Sequence, residues 1–205
     1  IKDTNEVEQK KVLSQLKQAL FDIVIQDKKL IVLSVSHNDL ARYGCYVDQY
    51  LDCVLETVSP DTTIVMNCFT WKSFCQKKTF DINLTPSECG LASEIFRRMP
   101  GVIRSPHPIY SFCAKGPLAK ELMVHTGSTS FGAGTPFEKL AEKNAFILSI
   151  GGKFPRAITL FHSFEEFKNV PYRFQKEFTG EVNFGDGVRQ YKTNFFVRKE
   201  QEIKY

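Results

Sequence analysis

The fold is decided by residues 30–69, which read LIVLSVSHNDLARYGCYVDQYLDCVLETVSPDTTIVMNCF. Two β-branched, apolar runs, residues 30–36 and 62–69, are bounded by polar residues and predict buried strands. Between them, residues 46–58 carry apolar side chains at helical spacing, which predicts an amphipathic helix. A strand, a helix and a strand in this order form a βαβ unit, so we expect a parallel pair of strands joined by a right-handed crossover.

The carboxyl ends of these two strands are where such a sheet collects ligands. They fall at Ser36 and His37 on the first strand and at Phe69 and Trp71 on the second. We therefore expect two candidate site loops at one edge of the sheet.

The segments on either side extend the α/β pattern. Residues 5–21 predict an amphipathic helix, and residues 145–152 predict another strand. Residues 172–198 alternate short polar and aromatic runs around the turn sequence FGDG, which predicts an antiparallel hairpin. The expected fold class is α/β with a mainly parallel central sheet and a C-terminal antiparallel hairpin.

Size and composition are those of a folded protein. The chain has 205 residues, 42% of them hydrophobic and 24% charged, which suits a single domain over residues 1–205. The net charge of +4 is too small for a nucleic-acid binder but suits an anionic ligand. The six cysteines form no C-x-x-C pair, as is usual for free thiols in a reducing cytoplasm.

We also expect no membrane partner. No apolar run approaches the roughly 20 residues that a bilayer-spanning helix needs. The first residues, IKDTNEVEQKK, lack the apolar core of a signal peptide. The sequence therefore predicts a soluble, cytoplasmic protein.

His162 and Glu165 have a spacing suited to proton transfer. Three residues apart on a predicted helix, they share a face, so the carboxylate can accept one imidazole N–H. The other ring nitrogen is then free to act as a general base. The same spacing also fits a structural histidine, and the spacing alone does not decide between the two.

Other kinds of site are not indicated. No metal site is expected, because no carboxylate pattern completes a ligand set with the histidines at positions 37, 107, 125 and 162. The sequence FGAGTPF lacks the third glycine of a dinucleotide fingerprint and the Gly-Lys of a P-loop. There is no G-x-S-x-G nucleophile elbow.

Arginines are concentrated in the turn-rich stretch that begins at Phe80 and ends at Gly116. A solvated face partly paired with Glu94 is one interpretation of this basic concentration, whose members are Arg97, Arg98, Arg104, Lys115 and Lys120. They could equally form an anion site, because the guanidinium fork matches phosphate. Both interpretations stay open.

An ordered set of motifs begins in this stretch. It runs FD-x-x-x-TPS-x-x-G-x-x-x-E-x-FRR-x-PGV-x-RS-x-HP-x-x-S, then A-x-G, His125, FG-x-G-[ST]-P, a strand ending in Gly, and T-x-x-H-x-x-E. Together with the two preceding βα units, this order resembles the aminoglycoside 3-N-acetyltransferase family over roughly residues 10–173.

The resemblance implies an acyl-CoA-dependent N-acyltransferase with the three-layer α/β/α antibiotic-acetyltransferase fold, unlike the GNAT fold. His162 would be the general base and Glu165 the carboxylate that orients it. Coenzyme A, as acyl-CoA co-substrate, would lie along Ser34, Ser36, His37, Arg104, Ser105, His107 and Ser111. The expected substrate contacts are Phe69, Trp71, Glu94, His125 and Thr159.

Two features of the chain depart from the family. It ends near residue 205, whereas members usually continue with a further C-terminal segment. Its net charge is positive, although aminoglycosides are polycations. We therefore favour an amino sugar on an anionic dTDP- or UDP-type carrier as acceptor of an acetyl or similar short acyl group. Aminoglycoside 3-N-acetylation and a non-catalytic acyl-CoA-binding protein are the alternatives, and a homodimer is one option for assembly.

Overall fold

The computed structural model describes residues 2–42, 44–127, 129–151 and 159–199. The helices are α1 (Lys2–Asp22), α2 (His37–Ala41), α3 (Val47–Thr57), α4 (Trp71–Lys77), α5 (Leu91–Arg98), α6 (Ala119–Leu122), α7 (Pro136–Glu142) and α8 (Phe161–Phe167). The strands are β1 (Leu30–Val35), β2 (Thr63–Asn67), β3 (Thr79–Asp81), β4 (Ile103–Arg104), β5 (Phe112–Lys115), β6 (Phe146–Ile150), β7 (Arg173–Asn183) and β8 (Val188–Arg198).

The predicted βαβ unit forms the middle of a five-stranded sheet with the order β4-β5-β2-β1-β6. β1 pairs in parallel with β2, where Leu30 lies opposite Thr63, and in parallel with β6, where Ile31 lies opposite Phe146. β5 is antiparallel to both β2 and β4. The central sheet is therefore mixed: its β2-β1-β6 half is parallel, as the sequence predicts, and its other half is antiparallel.

Both faces of this sheet are covered, which explains the continuous apolar sequence of β1. Successive side chains of a strand point to opposite faces. Ile31 and Leu33 belong to a core shared with α1, α3 and α5, whereas Leu30 and Val32 belong to a core shared with α4, α6, α7 and the hairpin. The expected three-layer α/β fold is confirmed.

The predicted C-terminal hairpin is also confirmed. β7 and β8 pair antiparallel from Arg173 opposite Arg198 to Asn183 opposite Val188. β3 adds to β7 in parallel and gives a second sheet of order β3-β7-β8, which the sequence did not predict. Gly180 is needed at this junction, because a Cβ there would lie 2.5 Å from the Lys78 carbonyl oxygen.

Over the part of the chain that is described, no helix has the length and apolar character required to cross a bilayer.

Candidate active site

The predicted proton-transfer pair lies on one face of α8. His162 Nδ1 is 2.5 Å from Glu165 Oε2, as the three-residue spacing requires. Because an ionised carboxylate can only accept hydrogen bonds, Nδ1 carries the hydrogen of this pair. Among the described residues no group pairs with His162 Nε2, which carries the lone pair in this tautomer.

The start of β7 holds Glu165 in place. The Tyr172 hydroxyl donates to Glu165 Oε1 at 2.9 Å, and Arg173 Nε lies 2.9 Å from Oε2. Burial alone would raise the pKa of Glu165, but the hydrogen bonds from His162 and Tyr172 and the charge of Arg173 outweigh it and lower this pKa. Glu165 is therefore a fixed anion beside the imidazole.

His162 lines a cavity of about 310 Å³. The cavity lies at the carboxyl edge of β1 and β2, as expected for a parallel βαβ unit. Four other residues predicted for the site line it as well: Ser34, Phe69, Trp71 and Thr159. The structure thus brings the base candidate together with side chains from both the predicted coenzyme group and the predicted substrate group.

Sequence reasoning missed three residues of the cavity wall, which are Asn67, Cys89 and Tyr110. Asn67 is the last residue of β2, so the strand-end argument could have included it. Its side-chain amide donates to Thr159 Oγ1 at 3.4 Å. Tyr110 packs edge-on against Phe69, with ring centroids 5.0 Å apart, and no local sequence pattern predicts that contact.

Cys89 is the thiol in the cavity wall, and its chemistry does not favour a nucleophile. Its Sγ accepts the backbone N–H of Phe69 at 3.2 Å. Burial raises the pKa of Cys89 to about 12, so the thiol stays protonated at neutral pH. The arrangement suits direct transfer between bound substrates better than an acyl-cysteine intermediate.

Arg104, predicted to contact coenzyme A, lies in the core and is 8% exposed. Its Nε donates to Ser111 Oγ at 2.9 Å, Nη1 to the Thr85 carbonyl at 2.5 Å, and Nη2 to the Cys68 carbonyl at 2.9 Å. These contacts tie the turn-rich stretch to the end of β2. Geometry therefore gives no support to a coenzyme contact for Arg104, whose donors are directed at the protein itself.

The three other predicted coenzyme residues of this segment are buried too. Ser105 Oγ accepts the N–H of Phe112, and Ser111 Oγ donates to the Cys68 carbonyl. His107 Nδ1 accepts two backbone N–H groups, those of Ile109 and Tyr110, and its Nε2 pairs with Thr193 Oγ1 at 3.1 Å. Complete burial lowers the pKa of His107 well below its ordinary value, so the ring is neutral and Nε2–H donates to Thr193. The segment links the central sheet to β8.

Ser36 and His37, predicted to contact the coenzyme, lie at the junction between β1 and α2. Ser36 donates its backbone N–H to the Ile150 carbonyl at 2.9 Å. His37 is half-buried, with Nδ1 at 3.5 Å from the Tyr50 hydroxyl. Both residues occupy the strand edge that borders the cavity without lining it.

Glu94, predicted to contact substrate, lies outside the cavity. It accepts the Ser87 backbone N–H at 2.8 Å, Arg97 Nη2 at 2.7 Å and Arg98 Nε at 2.6 Å. Burial opposes ionisation, but the hydrogen bonds from Arg97 and Ser87 prevail and lower the Glu94 pKa to about 2. Glu94 thus locks the turn-rich stretch onto α5.

His125, also predicted to contact substrate, packs against His107 with the rings tilted by 53° and their centroids 4.8 Å apart, and it does not line the cavity. Burial lowers its pKa to about 4. Within the described ranges, no three His, Cys, Asp or Glu side chains gather into a possible metal site.

The three-layer α/β fold of this chain is shared with solved structures of aminoglycoside acetyltransferases. AAC-VIa bound to sisomicin matches with a TM-score of 0.79, over 90% of this chain and 75% of that chain, at 22% identity. The AAC-IIIb binary complex with CoASH matches with a TM-score of 0.75, over 90% and 75%, at 19% identity. At this level of identity the likeness establishes the fold.

The family model described as aminoglycoside 3-N-acetyltransferase matches residues 32–202, and the chain belongs to that family. Aminoglycoside N(3)-acetyltransferase IX of Micromonospora chalcea is 24% identical over 176 residues, covering 77% of this chain and 62% of the relative. The SPbeta prophage-derived aminoglycoside N(3')-acetyltransferase-like protein YokD of Bacillus subtilis (strain 168) is 35% identical over 164 residues, covering 76% and 52%. The chain thus spans between half and two thirds of these relatives.

The description of the family agrees with the alternative from the sequence, aminoglycoside 3-N-acetylation, rather than with the nucleotide-linked sugar that net charge suggested. The structure supplies a physical reason. Arg97 is paired with Glu94, and Arg104 is enclosed in the core, so neither offers a free guanidinium to a diphosphate. The net charge of a whole chain says little about the charge presented at one cavity.

Proposed function

We propose that this chain forms the core of a coenzyme A-dependent N-acetyltransferase that acylates an amine of an aminoglycoside-type amino sugar. The observation that carries the proposal is the contact of His162 Nδ1 with Glu165, which leaves Nε2 without a partner among the described residues on a ring that lines a polar cavity. Family membership and the fold shared with the AAC-IIIb complex with CoASH support acetyl-CoA as the donor.

In this mechanism His162 is the general base. Nε2 accepts the proton that the amine loses as its nitrogen forms the amide bond to the thioester carbonyl carbon. His162 then returns the proton to the sulfur released when the C–S bond breaks, so coenzyme A leaves as a thiol. Glu165 stabilises the transient imidazolium and keeps the ring in its reactive tautomer.

The cavity walls suggest how the two substrates divide the site. Ser34 closes the β1 side, next to Ser36 and His37, and we place the coenzyme thioester there. Phe69 and Trp71 present aromatic surface on the β2 side, where the apolar face of a sugar ring can pack. At about 310 Å³ the cavity is near the small end of ligand sites, so it holds only the reacting parts of both molecules.

The proposal is tested by measuring thiol release from acetyl-CoA with an aminoglycoside and with a dTDP-linked amino sugar as acceptors. We expect transfer to the aminoglycoside and a fall in kcat of roughly 10²-fold or more for His162→Asn, with coenzyme affinity retained. Glu165→Gln should also lose turnover, whereas the neighbouring Glu166→Gln is the matched control.

Two outcomes would overturn the proposal. Thiol release that never exceeds background with either acceptor, while acetyl-CoA still raises the melting temperature, would indicate a non-catalytic binding protein. A near wild-type rate for His162→Asn would show that another group removes the proton.

A further inference from the structure

We propose that Arg173 is a positioning residue that aims Glu165 at His162 and limits how tightly the imidazole holds a proton. The proposal rests on the function proposed above for this site. It concerns a residue outside the motifs that the sequence singled out, contributed by a different element from the helix that carries the pair.

Arg173 is anchored independently of α8. It is the first residue of β7, and its side chain is 14% exposed. Its Nη1 donates to the Phe196 carbonyl on β8 at 3.0 Å, and the guanidinium lies over the Phe196 ring with its carbon 5.9 Å from the ring centroid. The hairpin therefore fixes the position of the guanidinium before Glu165 or His162 contributes anything.

The anchored guanidinium touches both members of the pair. Nε lies 2.9 Å from Glu165 Oε2, although its N–H does not make a well-directed hydrogen bond, so the contact is chiefly one of charge. Nη2 lies 3.3 Å from His162 Nδ1. Since Nδ1 already carries a hydrogen directed at Glu165, it has no lone pair for Nη2, and the guanidinium sits beside the ring as a positive charge.

The charges around His162 consequently oppose each other. Glu165 on α8 favours a protonated ring, and Arg173 on β7 disfavours it. Among the described residues, the other groups close to the ring are uncharged at neutral pH: Tyr172 just before β7, the Phe131 ring at 5.8 Å, and the cavity walls formed by Thr159, Cys89 and Tyr110. The charge of Arg173 thus opposes that of Glu165 at the imidazole, while its contact with Oε2 holds the carboxylate in line with Nδ1.

A pH–rate profile of kcat/KM separates this role from a merely structural one. For Arg173→Gln we expect the acidic limb to move to higher pH by about one unit, and the rate at pH 7 to fall about 10-fold. Arg173→Lys keeps the positive charge but loses the forked guanidinium. The acidic limb of its pH–rate profile should therefore stay in place while its kcat/KM falls. Arg189→Gln is the matched control, since Arg189 belongs to the same hairpin and pairs with the exposed Asp186.

Each outcome has a defined meaning. A normalised profile for Arg173→Gln that superimposes on the wild-type profile refutes the inference, as does a wild-type rate. If Arg173→Gln does not fold, Arg173→Met keeps the apolar stem and carries the same prediction. If the wild-type protein transfers no acyl group, the proposed function fails, but a crystal structure of Arg173→Gln still tests the positioning role: an unchanged contact between Glu165 and His162 would refute it.

Discussion

The substitution Glu94→Gln tests whether Glu94 is a structural lock or a substrate contact. The pKa of Glu94 is about 2 in the folded protein against an ordinary 4.5, a difference equivalent to about 3 kcal/mol of folding free energy at neutral pH. Glutamine has the shape of glutamate and can keep some of its hydrogen bonds. The Arg98 side chain is 68% exposed, so solvent screening reduces the contribution of the Glu94–Arg98 pair to the folding free energy. We therefore expect a loss of about 2 kcal/mol at pH 7.

The loss should depend on pH in a defined direction. Because the folded pKa lies below the unfolded one, the stabilisation by Glu94 is complete above about pH 4.5 and disappears as the pH falls through about 2. Urea unfolding of wild type and Glu94→Gln should thus differ less than half as much at pH 3 as at pH 7. Glu177→Gln, whose exposed partner is Lys192, is the control and should cost under about 0.5 kcal/mol.

If the free energies of unfolding of wild type and Glu94→Gln differ by the same amount at pH 3 and pH 7, the ionisation of Glu94 is not the source of the stabilisation. Unchanged stability combined with a raised KM for the acceptor would instead indicate that Glu94 contacts the substrate.

Three further predictions concern other parts of the structure. Arg104→Met should lower the free energy of unfolding by about 3 kcal/mol in urea, because it removes charge-assisted hydrogen bonds to the Thr85 and Cys68 carbonyl groups; a loss under about 1 kcal/mol would contradict this role. Tyr172→Phe should lower kcat about 10-fold with little change in KM, since it removes one hydrogen bond to Glu165; an unchanged kcat in steady-state assays would exclude the contact from catalysis. Wild type should lose stability as the pH falls from 6.5 toward 4, because folded His125, with its pKa of about 4, stays neutral while the unfolded chain takes up a proton; thermal melts of His125→Asn should show a shallower slope, and an identical slope would refute this.

The sequence predicted the central layer well because its signals are local. A β-branched strand, an amphipathic helix and a second strand can each be recognised within a few residues, and their order dictates the parallel pairing. The missed elements are short or depend on distant partners. β3 has three residues, and it becomes a strand only because β7, about a hundred residues further along, lies beside it.

Part of the cavity lining also follows from local signals. Helical spacing gave His162 and Glu165, and strand ends gave Phe69 and Trp71. Arg104 and His107, by contrast, stand among prolines and serines in a segment that looks like an exposed loop. Their burial depends on carbonyl groups and a threonine from remote strands, which a local pattern cannot show.

The length of β7 has a consequence for how this site tolerates change. One end of the strand is held by β3 next to Gly180, and the other end delivers Arg173 to Glu165, with Tyr172 just before it. Side chains alternate along a strand, so a slip of one residue would turn Arg173 to the opposite face. A residue inserted within β7 should therefore break the contacts that hold Glu165 against His162. The same insertion in the turn at 184–187, beyond the β3 contact, should be tolerated.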